Sequence, residues 1–381
     1  MLDKIKKISI RDMLGIFKFL LVLVPSIIYG VYLRIARKQL WLICEREDMA
    51  RDNGLAFFEY MQKKHPELKS YYAINRKNND YKHVEKFAKD VVQWASLKHY
   101  FLYMSATRNI SSHKEGNPNQ TLFTILHLYL NLYNNRVFLQ HGITKDDAKM
   151  FYYKNTKFKF FICGAKPEFE YIKKHFGYPE GHVIYTGFAR FDKLNLTPNQ
   201  NVIAFIPTWR RNLDDENFSG SRYRKNILSL VNSQQLEEYL ESTDKTLYFY
   251  PHTNAQRFFN TNDIVNRRVK LCNKNNTSIN WLINNAAILI TDYSSVFFDF
   301  AYLGKLVIYY QPDYEEYRRE HGLDTGYFDY RKHGFGPVDK TVREIVESLK
   351  RSPSLRYINK QKQFFLFNDK LNCERIYKEI S

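Results

Sequence analysis

From residue 40 onward, short apolar runs alternate with stretches of helical period. Trp41–Cys44, Tyr71–Ile74, Val91–Val92, Asn109–Ser111, Arg136–Gln140, Lys159–Cys163 and Val183–Thr186 read as extended segments. Helices are predicted near residues 48–64, 99–105 and 167–176. The second half repeats the rhythm with strands at Val202–Pro207, Thr246–Tyr250, Ala286–Thr291 and Leu306–Tyr310, then terminal helices near 341–350 and 360–366. Nearly continuous apolar runs suit strands covered on both faces, and βα alternation makes neighbouring strands parallel. The pattern predicts an α/β protein of two doubly wound parallel-sheet domains, divided at the polar, turn-rich stretch LNLTPNQN. The expected parts are an N-terminal segment 1–38, a first domain 39–195 and a second domain 196–381, whose last helix can return to the first domain.

Chemistry-bearing residues gather where strands end, the side of an open α/β sheet that faces its ligand crevice. In NNAAILITDYSSVFFDFAYLGKLVIYYQ (Asn284–Gln311), a strand and a helix from Ser294 to Tyr302 meet at the turn Asp292–Ser295. Two hydroxyls and unpaired backbone N–H groups at a helix start can hold an anion. The same Asp and Ser also serve as ordinary helix caps. His141-Gly142 follows one strand and Pro251-His252-Thr253 another. Thr208-Trp209-Arg210-Arg211 places two arginines beside a hydroxyl, a pattern suited to gripping a diphosphate. In GFARFD, Arg190 can contact phosphate or pair with Asp192. The charged segment 212–224 reads as a mobile loop; its adjacent acids Asp214, Asp215 and Glu216 cannot all face one ion, so no metal site is expected. In EREDMARDNG, after the first strand, the acids and bases are expected to solvate a helix face.

The N-terminus adds a membrane signal. Phe19–Leu33 is apolar and uncharged, interrupted by Pro25, and flanked by Lys4, Lys6, Lys7, Arg11 and Lys18 before and Arg34, Arg37 and Lys38 after. At about 15 residues it falls short of the ~20 needed for a span. An interfacial helix on the cytoplasmic leaflet is expected, with a buried helix or a single tilted span as alternatives.

Composition narrows the partners. The 381 residues are too many for one ordinary core, and 44% hydrophobic with 16% aromatic residues excludes a disordered chain. A net charge of +18 calls for a polyanionic partner: nucleic acid, an anionic membrane or a phosphate-rich substrate. The four cysteines have no paired spacing, which points to neither zinc nor a disulfide framework. Neither GxxxxGK[ST] nor GxGxxG occurs, so ATP and dinucleotide readings lose their main support.

The phrase TDYSSVFFDFAYLGKLVIYY closely resembles the signature of the CDP-glycerol glycerophosphotransferase family, the teichoic-acid and capsule enzymes of bacteria. The resemblance runs from about Trp41 to Val338. It is also carried by EREDMARDNGLAFFEYMQKKHPE, QHGITKD, GFARFD, TWR, the strand-end His252, DTGYFDY from Asp324 and GPV from Gly336. Gln140 and Thr144 depart from the common WHGTPLK form, and Pro251 precedes His252 where the family commonly has His-Pro. The resemblance implies a GT-B-like fold with two domains facing across a cleft and catalytic His141 and His252. It implies donor contacts from Gly142, Thr208, Arg210, Arg211, Thr291, Asp292, Ser294, Ser295 and Asp299, with Lys145 and Arg190 as further substrate contacts. Neither metal nor other cofactor is implied. CDP-glycerol is the implied donor and CMP the leaving product. The implied acceptor is a hydroxyl of an undecaprenyl-linked or membrane-held polymer, at the cytoplasmic face of the bacterial membrane; nucleic acid is not a partner. The alternatives are a GT-B sugar-nucleotide glycosyltransferase, or the same reaction with CDP-ribitol or another CDP-polyol.

Overall fold

Two parallel sheets carry the chain in this computed structural model, which describes residues 9–195, 197–321, 325–352 and 354–381. The first contains β1 (Leu40–Cys44), β2 (Lys69–Ile74), β3 (Val91–Gln93), β4 (Arg108–Ser111), β5 (Arg136–Phe138), β6 (Phe160–Cys163) and β7 (Val183–Tyr185). Their order is β3-β2-β1-β4-β5-β6-β7. The second contains β8 (Asn199–Ile206), β9 (Thr246–Phe249), β10 (Val269–Leu271), β11 (Ala286–Thr291), β12 (Leu306–Tyr310) and β13 (Val338–Asp339), in the order β10-β9-β8-β11-β12-β13. Each sheet reverses direction once, between β1 and β4 and between β8 and β11, which is where doubly wound sheets place ligands.

The sheets belong to separate compact units. One holds the chain up to Ile143, then Lys149–Lys193 and Phe367–Ser381; the other holds Thr144–Ala148 and Leu194–Leu366. Both faces of each sheet are covered, which explains the continuous apolar runs. In β1, Trp41 and Ile43 pack with Phe57 and Phe58 on one face. Leu40 and Leu42 pack with Tyr100 and Phe123 on the other. In the second unit Ile290 lies in register between Phe205 and Ile308, and all three join one core with Leu230, Leu240 and Phe249. The last helix, Asn372–Ile380, lies in the first unit, where the Asp192 carboxylate accepts the N–H groups of Asn372 and Cys373.

Four helices of the first unit matter below: α1 (Ile10–Ile35), α2 (Asn53–Lys64), α3 (Leu97–Ser105) and α4 (Gln120–Leu128). Pro25 lies inside α1 and does not interrupt it, so the apolar segment is a 26-residue helix, long and apolar enough to cross a membrane by length and composition. Residues 1–8, with Lys4, Lys6 and Lys7, lie outside the described residues, as does Asp324. Two further expectations are corrected. The helix after TDYSS begins only at Phe297, because Asp292–Val296 form a turn. The segment 212–224 is pinned by Phe218, which is 2% exposed and stacks on Phe258 at 4.3 Å.

Candidate functional site

In the first unit, β5 delivers His141 through a strained residue. Gln140 has φ 59°, the left-handed region a glutamine seldom occupies. Its buried amide offsets that cost by donating to the Ile162 carbonyl (2.7 Å) and Glu168 Oε1 (3.1 Å). With Gln140 turned into the core, His141 stands exposed at the strand end.

The preceding backbone is fixed from α2. The Asn53 side chain, fully buried, donates to the carbonyls of Leu139 (3.3 Å) and Gln140 (2.8 Å) and accepts the Arg190 N–H (3.0 Å). Asp52 pairs with Arg190 at 3.5 Å. Glu45, with no exposed surface, accepts the N–H groups of Arg51, Asp52 and Leu55. The expectation that the acids of EREDMARDNG only solvate a helix face is therefore corrected. Glu45 and Asp52 start α2, and Asn53 ties the QHG strand end to the GFARFD turn.

A second histidine stands at this site. His113, two residues beyond β4, lies parallel to His141 with ring centroids 4.9 Å apart and planes 10° apart. Its Nε2 is buried with no hydrogen-bond partner. Desolvation pushes His113 down to about 3, and the charge it would share with His141 and Arg46 pushes the same way. His141 is lowered too, by desolvation first and then by Arg190 and Arg46; Glu115 and a backbone hydrogen bond with Ser112 oppose this. Both rings are neutral near pH 7, as a proton acceptor requires. The strand-end rule, applied to Asn109–Ser111 as it was to its neighbour, would have drawn attention to His113.

In the second unit the turn after β11 is braced on every side. Thr291 donates its hydroxyl to the Ile206 carbonyl (2.6 Å), and Asp292 Oδ1 accepts the N–H groups of Thr208 (2.8 Å) and Tyr293 (2.5 Å). Gln311 Nε2 donates to the Asp292 carbonyl (3.0 Å). Arg210, 5% exposed, places Nη2 2.9 Å from both Asp292 Oδ2 and Asp313 Oδ2, while Tyr223, Tyr293 and Tyr317 surround its guanidinium at 4.9–5.0 Å. Desolvation works against its charge, and the two carboxylates outweigh it. Arg210 is thus tied to the turn and not presented to a ligand, whereas Arg211 is exposed. Asp313, which holds Arg210 and accepts the Tyr293 hydroxyl at 3.0 Å, has no marker in the local sequence.

Most of the remaining candidate positions belong to the same unit as this turn. Ser294 and Ser295 precede the six-residue helix Phe297–Tyr302, in whose first turn Asp299 is buried. The Thr208 hydroxyl is buried without a partner. His252, just past β9, is exposed, and its Nδ1 accepts the Asn254 N–H at 3.2 Å. Desolvation lowers His252 and Asp292 partly reverses this, so the neutral ring is favoured over the protonated form. Lys145 is paired with Asp146 at 2.5 Å and lies over the Tyr330 ring; Gly142 ends the strand loop of the first unit. Among the described residues no three His, Cys, Asp or Glu side chains gather as a metal ion would require.

Two doubly wound parallel sheets with loaded strand ends define a GT-B-like protein. Solved structures share that fold. The wall teichoic acid polymerase TagF superposes with a TM-score of 0.66 at 18% identity, over 98% of this chain and 97% of that one. A UDP-GlcNAc 2-epimerase from Neisseria meningitidis gives 0.55 at 11% identity, over 90% and 99%. The chain belongs to the CDP-Glycerol:Poly(glycerophosphate) glycerophosphotransferase family, whose model matches residues 29–381. The minor teichoic acid biosynthesis protein GgaB of Bacillus subtilis (strain 168) is 30% identical over 94% of this chain and 41% of its own length. The teichoic acid poly(glycerol phosphate) polymerase of the same strain is 24% identical over 80% of this chain and 42% of its own. The chain thus spans about two fifths of the length of these curated relatives.

Proposed function

We propose that this chain transfers glycerol phosphate from CDP-glycerol to a hydroxyl of a membrane-held polymer and releases CMP. The family match over residues 29–381 carries this reading. The site supports it chemically. An alcohol is a poor nucleophile at neutral pH and needs a base within reach. His141, exposed, neutral and fixed in position, takes the hydroxyl proton as the oxygen attacks the glycerol-bearing phosphorus. The P–O bond to CMP breaks, and CMP leaves with the bonding electrons. Charge on the transferred phosphoryl oxygens needs donors already in place. In this reading these are the backbone N–H groups at Ser294 and Ser295, the unpaired Thr208 hydroxyl, exposed Arg211 and the Nε2–H of His252. Arg210, Thr291, Asp292 and Asp299 act on the donor through the turn they build. Gly142 leaves the loop open beside His141, and Arg190 and Lys145 fix the segments on either side of it.

The acceptor is assigned to the cytoplasmic membrane face, held there by an undecaprenyl or similar lipid, with the protein bound peripherally. Support comes from α1, which packs one face along α3 and α4 while the other face is exposed and apolar. The net charge of +18 suits an anionic leaflet.

Purified protein incubated with CDP-glycerol and lipid-linked glycerol phosphate acceptors is expected to release CMP and lengthen the acceptor by one or more glycerol phosphate masses. Release of a nucleoside diphosphate from sugar nucleotides, with CDP-glycerol inert, would replace this reading with a glycosyltransferase. Turnover of CDP-ribitol alone would keep the chemistry and change the donor.

A further inference from the structure

The first unit carries a groove of about 740 Å³, lined by α2, the turn Ala189–Lys193 and the last helix, all within that unit. Its floor is apolar, from Ala56, Ala189 and Cys373, and its rim carries Lys63, Lys64, Lys86, Lys193, Lys370 and Lys378. Three acids line it too, and each is already satisfied. Glu59 pairs with Lys86 at 2.8 Å and with Lys193. Asp192 accepts the N–H groups of Asn372 and Cys373. Glu374 pairs with Lys378 at 2.7 Å, and the charge of Lys64 favours its anion further. Lys63, Lys64 and Lys370 are exposed, and among the described residues no carboxylate lies within ion-pair distance of them. Lys63 and Lys64, in the last turn of α2, suit their helix end. Lys370 has no such local reason. Its φ of 58° lies in the left-handed region, and it stands two residues before the last helix, where a cation opposes the dipole.

The chemistry of the groove selects its occupant. One exposed ammonium against one phosphate gains at most about fivefold in affinity. A lone phosphate is therefore held weakly, whereas linked phosphates that meet three lysines at once gain up to about 100-fold. Neutral hydroxyls find few partners, since the acids are paired and Gln62 donates to Ser70. The rings are engaged with one another and not set out for a nucleobase: His65 stacks on Tyr377 at 3.7 Å, its Nε2 lies 3.5 Å from the Tyr60 hydroxyl, and Phe87 meets Phe58 edge-on. α2 joins the groove to the reaction site, because Asn53 fixes the loop before His141 and Lys63 follows about 15 Å further along the same helix. We propose that this groove binds the phosphodiester backbone of the polymer under extension, several units behind the hydroxyl that His141 activates. The inference rests on the transferase reading and adds a second contact, which makes a long acceptor better than a short one.

The test uses the full-length protein and a lipid-free hexamer of glycerol phosphate, followed by calorimetry. A glycerol phosphate dimer, a neutral oligoglycerol and a single-stranded RNA of equal charge are run beside it. The hexamer is expected to bind more tightly than all three, and less tightly as salt rises. Lys63→Ala and Lys370→Gly should each weaken it about fivefold, and the double variant about 25-fold. Glycine relieves the left-handed backbone, so Lys370→Gly should melt no earlier than wild type. In CMP release the hexamer should surpass the dimer through a lower KM, and the double variant should lose most of that advantage. Dimer, oligoglycerol or RNA bound as tightly as the hexamer, or wild-type hexamer affinity in the double variant, each overturns the proposal. Hexamer binding that the double variant loses, with no CMP released from CDP-glycerol, would remove the transferase reading and leave the groove assigned. CMP release with equal kcat/KM for dimer and hexamer would remove the groove alone.

Discussion

In the proposed reaction the histidine base must be held in one plane and stay neutral until it takes its proton, and His113 is placed to serve both needs. Its ring, parallel to His141 and itself neutral, excludes water from one side. Removing the base is the first test. His141→Ala is expected to cut CMP release by at least about 100-fold, the lower range for general-base catalysis, with CDP-glycerol affinity retained. Residual activity above a tenth of wild type would mean that another group takes the proton. The pH dependence follows from the direction of the shift. His141 lies below its ordinary 6.5, so the neutral base persists as pH falls through that value and the acid limb of kcat/KM lies beneath it. His113→Ala admits water and should raise the His141 value towards 6.5, whereas His113→Phe, which keeps the stacked ring, should leave it low. Imidazole NMR titration of the full chain reads this without any acceptor, with Arg46, Arg190 and Glu115 unchanged as the other charges facing His141. An identical titration in His113→Ala would reduce His113 to packing.

At the scale of elements, the proposed donor site rests on a turn whose shape is set by a buried arginine. Arg210 bridges Asp292 and Asp313 inside a ring of three tyrosines, an arrangement lysine cannot reproduce because it has neither the fork nor the flat face. Arg210→Lys is expected to lower both the melting temperature and CDP-glycerol affinity. Arg211→Ala should lower affinity by about tenfold, one charge-assisted contact, without changing the melt. Calorimetry beside thermal melting separates them; equal affinity losses with equal melts would erase the distinction between binding and bracing. That distinction was not legible in TWRR, because the deciding partner, Asp313, stands 103 residues further on. The apolar runs did reveal most strands, since both faces of each sheet are covered. β10 (VKL) has a lysine between its two apolar residues and β13 (VD) is only two residues long, so neither shows an apolar run. Buried polar groups misled the reading of boundaries: Asp52 and Glu45 start α2 late, and the braced TDYSS turn delays the next helix to Phe297. His141 and His252 were visible as strand-end residues, but Asn53 and Glu168, which hold the His141 loop, look in sequence like ordinary surface residues.

At the scale of the whole molecule, the docking of α1 decides how the chain can meet a membrane. The helix is about 39 Å long at 1.5 Å per residue, enough to cross a ~30 Å hydrocarbon core. Its inner face, however, is joined to the first unit along its length. Lys18 donates to the Ala95 carbonyl at 2.8 Å, Phe19 meets Phe123 edge-on, Tyr29 stacks on Phe101, and Leu33 is 2% exposed. A span would strip all these contacts and leave Tyr100, Tyr103 and Phe123 facing water. Docked as it is, the helix presents Phe17, Val24 and Ile28, each at least 60% exposed, on its outer side. We therefore expect a monotopic protein that binds anionic vesicles through this stripe. Replacing Phe17, Val24 and Ile28 together by Asp should leave the melting temperature unchanged and move the protein from the vesicle pellet to the supernatant. Leu33→Asp, on the inner face, should instead lower the melt, because it buries a charge without a partner. Wild-type protein that resists alkaline carbonate extraction would mean that α1 leaves the domain and spans. A triple variant that still sediments with vesicles would place the membrane surface elsewhere on the first unit.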